Sequence, residues 1–286
     1  MSDPIRLGII GGSGLYNMKE LTDRKTVEVS TPFGDPSCPP VTGAVGGKRV
    51  AFIARHGLGH VKTPGEVNYR ANIFALKSLG VRFIIGVSAC GSLNEAMAPG
   101  HIVIPDQLVD FTKGTRQSSF FGGGLVAHAG TAEPFCQGLR PILFKASSFG
   151  GKKVHDGGAF ITIEGPRFSS RGESRLYRQW GLDIIGMTTS PEAFLAREAE
   201  ISYAVMAHVT DYDVWHEEPV STEMVIRTFS QNIDHTHEAL VRAVGLIDEN
   251  ADFESHHALK GSFMTAKEKI PRETLEKLKP IIGNYF

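Results

Sequence analysis

Short apolar runs alternate with helical patterns along most of the chain, and this alternation limits the possible folds more than any other feature. The helical patterns cover Asn68–Leu79, Arg171–Trp180 and Pro191–Glu200. The apolar runs are rich in Val, Ile and Phe, as buried strands are, and comprise Ile5–Ile10, Val50–Ala54, Val81–Val87, Ile102–Ile104, Ala159–Ile163, Leu182–Gly186 and Ser202–Val209. Strands that alternate with helices predict an α/β fold, a single domain around a central mixed sheet.

The C-terminal part of the chain has a different pattern. Ser221 is typical of a helix N-cap, and a long amphipathic run follows it to Glu249. Residues Asn250–Ala266 are polar and predict a linker or mobile loop, and Arg272–Ile282 predicts a short helix. We therefore expect a domain over residues 1–250 and a C-terminal extension over residues 251–286, packed on the same domain or on a neighbouring subunit.

Charge and composition restrict the partners. The 286 residues include 30 Lys and Arg against 31 Asp and Glu, which gives a net charge of -1. The chain therefore lacks the excess of positive charge that binding to nucleic acid or to an anionic membrane would favour. No stretch of about 18 apolar residues predicts a membrane span, and the first residues lack the pattern of a signal peptide. The cysteines Cys38, Cys90 and Cys136 are widely spaced, which favours a reducing, cytoplasmic setting. A small-molecule ligand is expected.

Polar groups follow several predicted strands at the point where each strand ends, and ligands of α/β sheets bind at such carboxyl ends. The first strand runs into Gly11-Gly12-Ser13-Gly14, and later ones run into Arg55-His56-Gly57, Ser88-Ala89-Cys90-Gly91 and Met187-Thr188-Thr189. Glycine-flanked amides, hydroxyls and a guanidinium that can bind two oxygens suit a tetrahedral oxyanion. The pattern predicts an anion-binding enzyme.

A fifth strand ends in carboxylates rather than in anion-binding groups. Asp211 and Asp213 are separated by one residue, so both side chains face the same way in extended chain. These carboxylates would repel a phosphate, so we expect them to contact another part of the ligand. The alternative is that the segment is only a solvated loop.

Two other interpretations of these motifs are weak. Asn17 stands where a dinucleotide-binding fingerprint needs its third glycine. His56 and His60 are four residues apart, but Gly57 and Gly59 between them disfavour the helix that a zinc pair would need. We expect no metal and no organic cofactor.

Eight ordered motifs between about residues 5 and 245 resemble the methylthioadenosine phosphorylases of the trimeric purine nucleoside phosphorylase superfamily. They are Gly11-Gly12-Ser13-Gly14-Leu15, Thr31-Pro32-Phe33-Gly34, Ala54-Arg55-His56-Gly57, Val67-Asn68-Tyr69-Arg70-Ala71-Asn72, Ala89-Cys90-Gly91-Ser92-Leu93, Ile163-Glu164-Gly165-Pro166-Arg167-Phe168-Ser169-Ser170-Arg171, Met187-Thr188-Thr189-Ser190-Pro191-Glu192 and Thr210-Asp211-Tyr212-Asp213. The resemblance implies one α/β domain whose mixed sheet closes into a distorted barrel, flanked by helices and assembled as a homotrimer.

The resemblance also assigns site residues. It implies that phosphate, a co-substrate, binds Ser13, Arg55, His56, Ser88, Ala89 and Thr188. It places Met187 under the ribose, Phe168 and Ile185 along the base, and Asp211 and Asp213 at the purine. His128 aligns with a residue that reaches the 5′-substituent of a neighbouring subunit, and Thr222, Val225 and Ile226 align with the lining of the 5′-group pocket.

The implied reaction is the reversible phosphorolysis of 5′-methylthioadenosine, with 5′-deoxyadenosine as a further substrate. Asp211 would protonate N7 of the departing base, oriented by Asp213, and a closed apolar pocket would raise its pKa for that role. Asp211 together with Ser169 favours a 6-aminopurine, because phosphorylases of 6-oxopurine nucleosides carry Asn and Glu at these places. The alternatives are a hydrolytic nucleosidase, which would not need the anion-binding residues, and a non-catalytic nucleoside-binding protein.

Overall fold

The computed structural model describes residues 4–12, 15, 18–217 and 220–286. Ser13, a predicted phosphate ligand, lies outside these ranges. The strands are β1 Leu7–Gly11, β2 Thr22–Thr26, β3 Val41–Val45, β4 Lys48–Ala54, β5 Phe83–Ser92, β6 Ile102–Ile104, β7 Gln107–Phe111, β8 Val154–Asp156, β9 Ala159–Ile163, β10 Ile184–Gly186 and β11 Ser202–Asp211. The α-helices are α1 Tyr69–Ser78, α2 Arg140–Ser147, α3 Arg171–Gln179, α4 Thr189–Glu198, α5 Thr222–Gln231, α6 Ile233–Leu246 and α7 Arg272–Ile282.

Four parallel strands, β4, β1, β5 and β11, form the centre of the sheet in that order. β1 and β11 are buried along their whole length, as strands covered on both faces must be, and this explains their continuous apolar sequences. Because the four strands run in the same direction, their carboxyl ends meet at one edge. The polar residues that follow them are thereby brought together.

The sheet closes into a barrel through two bent strand pairs. β6 continues into β7 across Pro105 and Asp106, and β8 continues into β9 across Gly157 and Gly158. Both halves keep one register, with Ile104 opposite Asp156 and Gln107 opposite Ala159. β6, in the first half of this bent pair, pairs with β11, and β9, in the second half, pairs with β10. Both β10 and β11 pair in turn with β5. This ring confirms the predicted distorted barrel, from which β1, β4, β3 and β2 extend.

Helices cover both sides of this sheet. α1 packs against α4, and α2 packs against α6, while α5 lies along β11. The sequence accounts for two helix starts directly, since Asn68 caps α1 and Ser170 forms a capping box with Glu173 at the start of α3. No helix in the described ranges is both long and apolar enough to span a membrane.

The predicted long helix after Ser221 is wrong in its extent, because α5 and α6 are separate helices. They meet at Asn232, whose backbone leaves helical geometry. The side-chain amide of Asn232 donates to the carbonyl of Thr228 at 2.9 Å, and its oxygen accepts a hydrogen bond from Lys152. A side chain that bonds to nearby backbone in this way competes with helix continuation.

The predicted linker over Asn250–Ala266 is also wrong, since this segment packs on the body of the protein. A 3₁₀ turn at Glu254–His257 buries Ser255 and His256. The Ser202 hydroxyl at the start of β11 contacts the Ser255 hydroxyl at 2.7 Å and His256 Nε2 at 2.9 Å. Beyond the segment, α7 contacts α1 and buries apolar side chains in the main core, among them Leu278 and Ile282. The division of the chain at residue 250 stays a prediction.

Candidate active site

A cavity of ≈ 740 Å³ opens at the edge where β1, β4, β5, β10 and β11 end. Among the described residues, every site residue predicted from the sequence except His128 lines this cavity: Arg55, His56, Ser88, Ala89, Phe168, Ser169, Ile185, Met187, Thr188, Asp211, Asp213, Thr222, Val225 and Ile226. The carboxyl ends of the strands therefore converge as the sequence pattern predicts. His128 lies elsewhere, exposed on a loop where its backbone N–H donates to the Ser262 carbonyl at 2.9 Å.

Arg55 follows β4 and is buried at one end of the cavity, where its guanidinium is already paired. Its Nε donates to Glu192 Oε2 at 2.7 Å and its Nη2 donates to Glu192 Oε1 at 2.8 Å. Further bonds run to the carbonyls of Val87 and Ile10, at 3.0 and 3.3 Å. The fork that the sequence analysis assigns to phosphate is thus occupied by a carboxylate. One N–H of Nη1 has no partner within the described ranges.

The ion pair fixes the charge at this end of the cavity. Arg55 and Glu192 are both fully enclosed, with side chains 2% and 0% exposed. Burial opposes the charge of Arg55, but the adjacent Glu192 carboxylate raises the pKa of the guanidinium above its ordinary value. Tyr203 holds the carboxylate from the other side, because its hydroxyl donates to Glu192 Oε1 at 2.8 Å.

His56 is a neutral imidazole in this setting. Burial, and then the charge of Arg55, lower the pKa of His56 to about 4. Its Nδ1 lies 2.9 Å from the Lys62 carbonyl oxygen, so the proton of the neutral ring belongs on Nδ1. His56 also stacks on His60 with ring centroids 4.2 Å apart. The remaining nitrogen, Nε2, is therefore a hydrogen-bond acceptor.

The carboxylates at the opposite end of the cavity have raised pKa values. Burial raises the pKa of Asp211 to about 6, against the lowering effects of the Thr210 hydroxyl at 2.7 Å and the Asp213 backbone N–H at 2.8 Å. Burial likewise raises the pKa of Asp213, against the hydroxyls of Ser174 and Ser169. Oδ2 of Asp213 is buried without a well-oriented hydrogen bond in the described structure.

The wall between these two ends is largely apolar. Ile185 is buried on β10, while Phe168 is 36% exposed and completes the side near Ser169. α5 closes the cavity with Val225, Ile226 and Phe229 on one face, and Thr222 stands at its first turn. An apolar wall excludes water from the carboxylates, which is the physical cause of their raised pKa values.

The sequence analysis missed several residues that shape this site. Glu192 lies inside an ordinary helical pattern, and nothing in that pattern distinguishes it from a surface carboxylate. Arg116 follows no predicted strand, yet its guanidinium donates to the carbonyls of Met187 at 2.7 Å, Ser190 at 2.9 Å and Glu164 at 2.7 Å. Gly91 belongs to one of the eight motifs, but the sequence predicted no role for it. A methyl group there would lie 2.8 Å from Asp211 Oδ1 and 3.1 Å from Ile185 Cγ2.

Comparison with known proteins identifies the family. A family profile described as Phosphorylase superfamily matches residues 6–245. This is the class of protein that the barrel and its two-ended cavity define. Curated S-methyl-5′-thioadenosine phosphorylases of Chloroflexus aurantiacus and Geobacter sulfurreducens are each 50% identical to the chain and align over 98% of it and 98% of their own length. The chain belongs to the S-methyl-5′-thioadenosine phosphorylase family.

Solved structures agree with this assignment. A methylthioadenosine phosphorylase from an antarctic soil metagenomic library superposes with a TM-score of 0.93 at 45% identity, covering 98% of this chain and 99% of that one. The methylthioadenosine phosphorylase from Schistosoma mansoni in complex with adenine gives a TM-score of 0.78 at 42% identity, covering 85% and 91%.

Gly91→Ala tests whether the placement of Asp211 matters. The added methyl group must displace the carboxyl group or Ile185, so we expect kcat to fall by about 10²-fold, the typical cost of a misplacement near 1 Å. Gly245→Ala is the control, because a methyl group there meets nothing within 4 Å. Steady-state kinetics of both variants test this, and thermal melts show whether each variant is folded. A fully active Gly91→Ala variant would contradict the prediction.

Glu192→Gln tests the support of Arg55. The change leaves a buried guanidinium without its counter-charge, so we expect the free energy of unfolding to drop by about 3–5 kcal/mol. Weakened placement of Arg55 should also raise the phosphate KM by about 10- to 100-fold. Glu238→Gln removes one partner of an exposed pair with Arg242 on α6, and should cost no more than about 1 kcal/mol. Denaturant melts measure the free energy of unfolding, and phosphate titrations measure the phosphate KM. Equal effects of the two variants would contradict the role of Glu192 in supporting Arg55.

Proposed function

We propose that the protein catalyses the reversible phosphorolysis of 5′-methylthioadenosine, giving adenine and 5-methylthioribose 1-phosphate. The enzyme would be a pentosyltransferase of purine and methionine salvage. The observation that carries this proposal is the cavity with two chemically different ends, one holding Arg55 and the other Asp211 and Asp213. The names of the relatives support the same reaction, since they align over nearly the whole chain.

The cationic end is the proposed phosphate site. We assign it Ser13, Arg55, His56, Ser88, Ala89 and Thr188. Arg55 would donate through the N–H of Nη1 that has no partner among the described residues, and Ser88 and Thr188 line the same cavity. Neutral His56 presents Nε2 as an acceptor, so it would receive a hydrogen bond from a protonated phosphate oxygen. An anion held below the ribose would stabilise the positive charge that develops at C1′.

The acidic end is the proposed site of the base. Asp211 would donate a proton to N7 as the bond from C1′ to N9 breaks, and Asp213 would orient the purine. The raised pKa of about 6 supports this role, because a useful fraction of Asp211 is protonated near neutral pH. Ser169, buried beside Asp213, together with Asp211 supports a 6-aminopurine over a 6-oxopurine. Phe168 and Ile185 would pack along the base.

The apolar wall is the proposed site of the ribose and the 5′-group. Met187 would pack under the sugar, held in place by Arg116. Thr222 and Val225 on α5 would contact a 5′-methylthio group, and the same surface would accept the smaller 5′-deoxyadenosine. A 5′-hydroxyl would leave its hydrogen bond unsatisfied against Val225 and Ile226, which disfavours adenosine.

The active assembly is proposed to be a homotrimer in the cytoplasm that requires no metal and no organic cofactor. His128 lies outside its own cavity and is exposed, so it is available to reach the 5′-group in a neighbouring subunit. The three cysteines are free thiols, which is compatible with a reducing compartment. Among the described residues, no group of three or more His, Cys, Asp or Glu side chains is placed to hold a metal.

Release of adenine from 5′-methylthioadenosine, measured with and without inorganic phosphate, tests the reaction. We expect strict dependence on phosphate and a preference for 5′-methylthioadenosine and 5′-deoxyadenosine over inosine. Release without phosphate would mean a hydrolase, whereas a preference for inosine would contradict the assignment of the base site. No release under any condition would mean a protein that only binds nucleosides.

The pH dependence of kcat/KM for the nucleoside, at saturating phosphate, tests Asp211 as the general acid. A carboxyl group with a raised pKa is protonated below that pKa, so activity should be level below about pH 6 and fall about tenfold per pH unit above it. Asp211→Asn should lose this decline and be slower by about 10²–10⁴-fold. Asp213→Asn is the control and should keep the decline, and if it instead removed the decline, Asp213 would be the acid.

A further inference from the structure

A second cavity lies at the amino ends of the same central strands. It has a volume of ≈ 290 Å³ and is lined in part by residues just before three of them, Arg6 before β1, Arg82 before β5 and Glu200 before β11. β5 separates it from the proposed active site. Arg82 and Gly91 stand at opposite ends of this strand, roughly 30 Å apart at ~3.3 Å per residue. No step of the proposed reaction uses this cavity.

Three cations converge on the cavity, and each has donors left over. Lys77, in the last turn of α1, has no hydrogen-bond partner in the described part of the chain, although burial is strong enough to lower the pKa of its ammonium group. Within the described ranges, the side chain of Arg6 makes one hydrogen bond, from Nη1 to the Gly80 carbonyl at 3.3 Å. Arg82 Nη2 reaches Asp252 at 3.2 Å and His256 Nδ1 at 3.0 Å.

The carboxylates of the lining are already engaged with protein donors. Asp252 contacts His257 Nε2 at 2.7 Å in addition to Arg82. Glu200 Oε1 accepts from the Leu259 backbone N–H at 3.0 Å and from the Tyr285 hydroxyl. The acidic groups therefore have protein donors, although the Glu200 carboxylate also attracts the Lys77 ammonium and acts to raise its pKa against the effect of burial. Within the described ranges, the ammonium of Lys77 and most N–H groups of Arg6 have no hydrogen-bond partner.

His256 adds no unused donor to the lining, because its Nδ1 accepts hydrogen bonds from the Phe253 backbone N–H and from Arg82. Burial, the largest effect, lowers the pKa of His256, whose Nε2 contacts Ser202 and the Arg82 carbonyl. The formal charge of the lining is then three cations against two carboxylates, apart from the exposed His257. A partly buried space with unused N–H donors and an excess of positive charge attracts an anion.

We propose that this second cavity binds a small oxyanion of the phosphate class, between Lys77, Arg6 and Arg82. Its volume is close to the lower limit of small-molecule sites, and its lining is mostly polar and charged, with Val81 as an apolar side chain among the lining residues. The C-terminal segment contributes Asp252, and the 3₁₀ turn that follows it contributes His256 and His257. A bound oxyanion joins that segment to the start of the central strands.

Equilibrium dialysis with radiolabelled inorganic phosphate tests the proposal on the whole protein. We expect two phosphates per chain for the wild type. Lys77→Met should weaken one of them by about 10- to 100-fold, the usual value of a hydrogen bond to a charged group, and leave kcat and the phosphate KM of the reaction unchanged. Lys145→Met, on the exposed side of α2, is the matched control and should keep both sites.

The outcomes separate this site from the active site. A single phosphate per chain in the wild type, or two phosphates that bind Lys77→Met with unchanged affinity, would overturn the proposal whether or not the protein is a phosphorylase. Lys77→Gln repeats the test with a polar side chain in case the Met variant melts early. Displacement of the second phosphate by AMP would identify a phosphate monoester as the source, and its failure would identify the free ion. Two phosphates per chain without any adenine release would support this site and contradict the proposed function.

Discussion

The ion pair between Arg55 and Glu192 connects most of the elements that build the candidate active site. Arg55 follows β4, its guanidinium bonds to carbonyls at the ends of β1 and within β5, and Glu192 lies on α4. Tyr203 brings in β11. Such a pair is a poor source of net stability, because two charges must leave water. Its effect is specificity, since any other arrangement of these elements would leave a buried charge without its partner.

The fold and most of the site could be predicted because their signals are local. Buried parallel strands such as β1 and β11 read as continuous apolar runs, and the chain turns polar where each strand ends. β2 could not be found in this way, because its sequence Thr-Asp-Arg-Lys-Thr is exposed and its strand geometry comes from pairing with β3. The fork of Arg55 was predicted to face a ligand because sequence does not show that Glu192 lies opposite. That contact joins residues far apart in the chain.

The error over Asn250–Ala266 has a similar origin. A polar stretch with two histidines has the composition of a loop, and composition was the whole basis of that prediction. The structure buries its polar groups by hydrogen bonding them, since His256 and Ser255 meet the Ser202 hydroxyl at the start of β11. Buried polar groups that are fully bonded look the same in sequence as exposed ones. Only the distant partner, Ser202, distinguishes the two cases.

The two ends of the large cavity control their charges by opposite means. Arg55 stays charged despite burial because a carboxylate sits against it. Asp211 gains a raised pKa because it is buried against an apolar wall and a second carboxyl group, Asp213, stands near it, and no described cation is among the causes that act on its pKa. A cation moved to the acidic end would favour the ionised form of Asp211 and remove its proton at neutral pH. The separation of the guanidinium from the carboxyl groups is therefore itself a requirement of the proposed chemistry, and the strand order β4, β1, β5, β11 provides it.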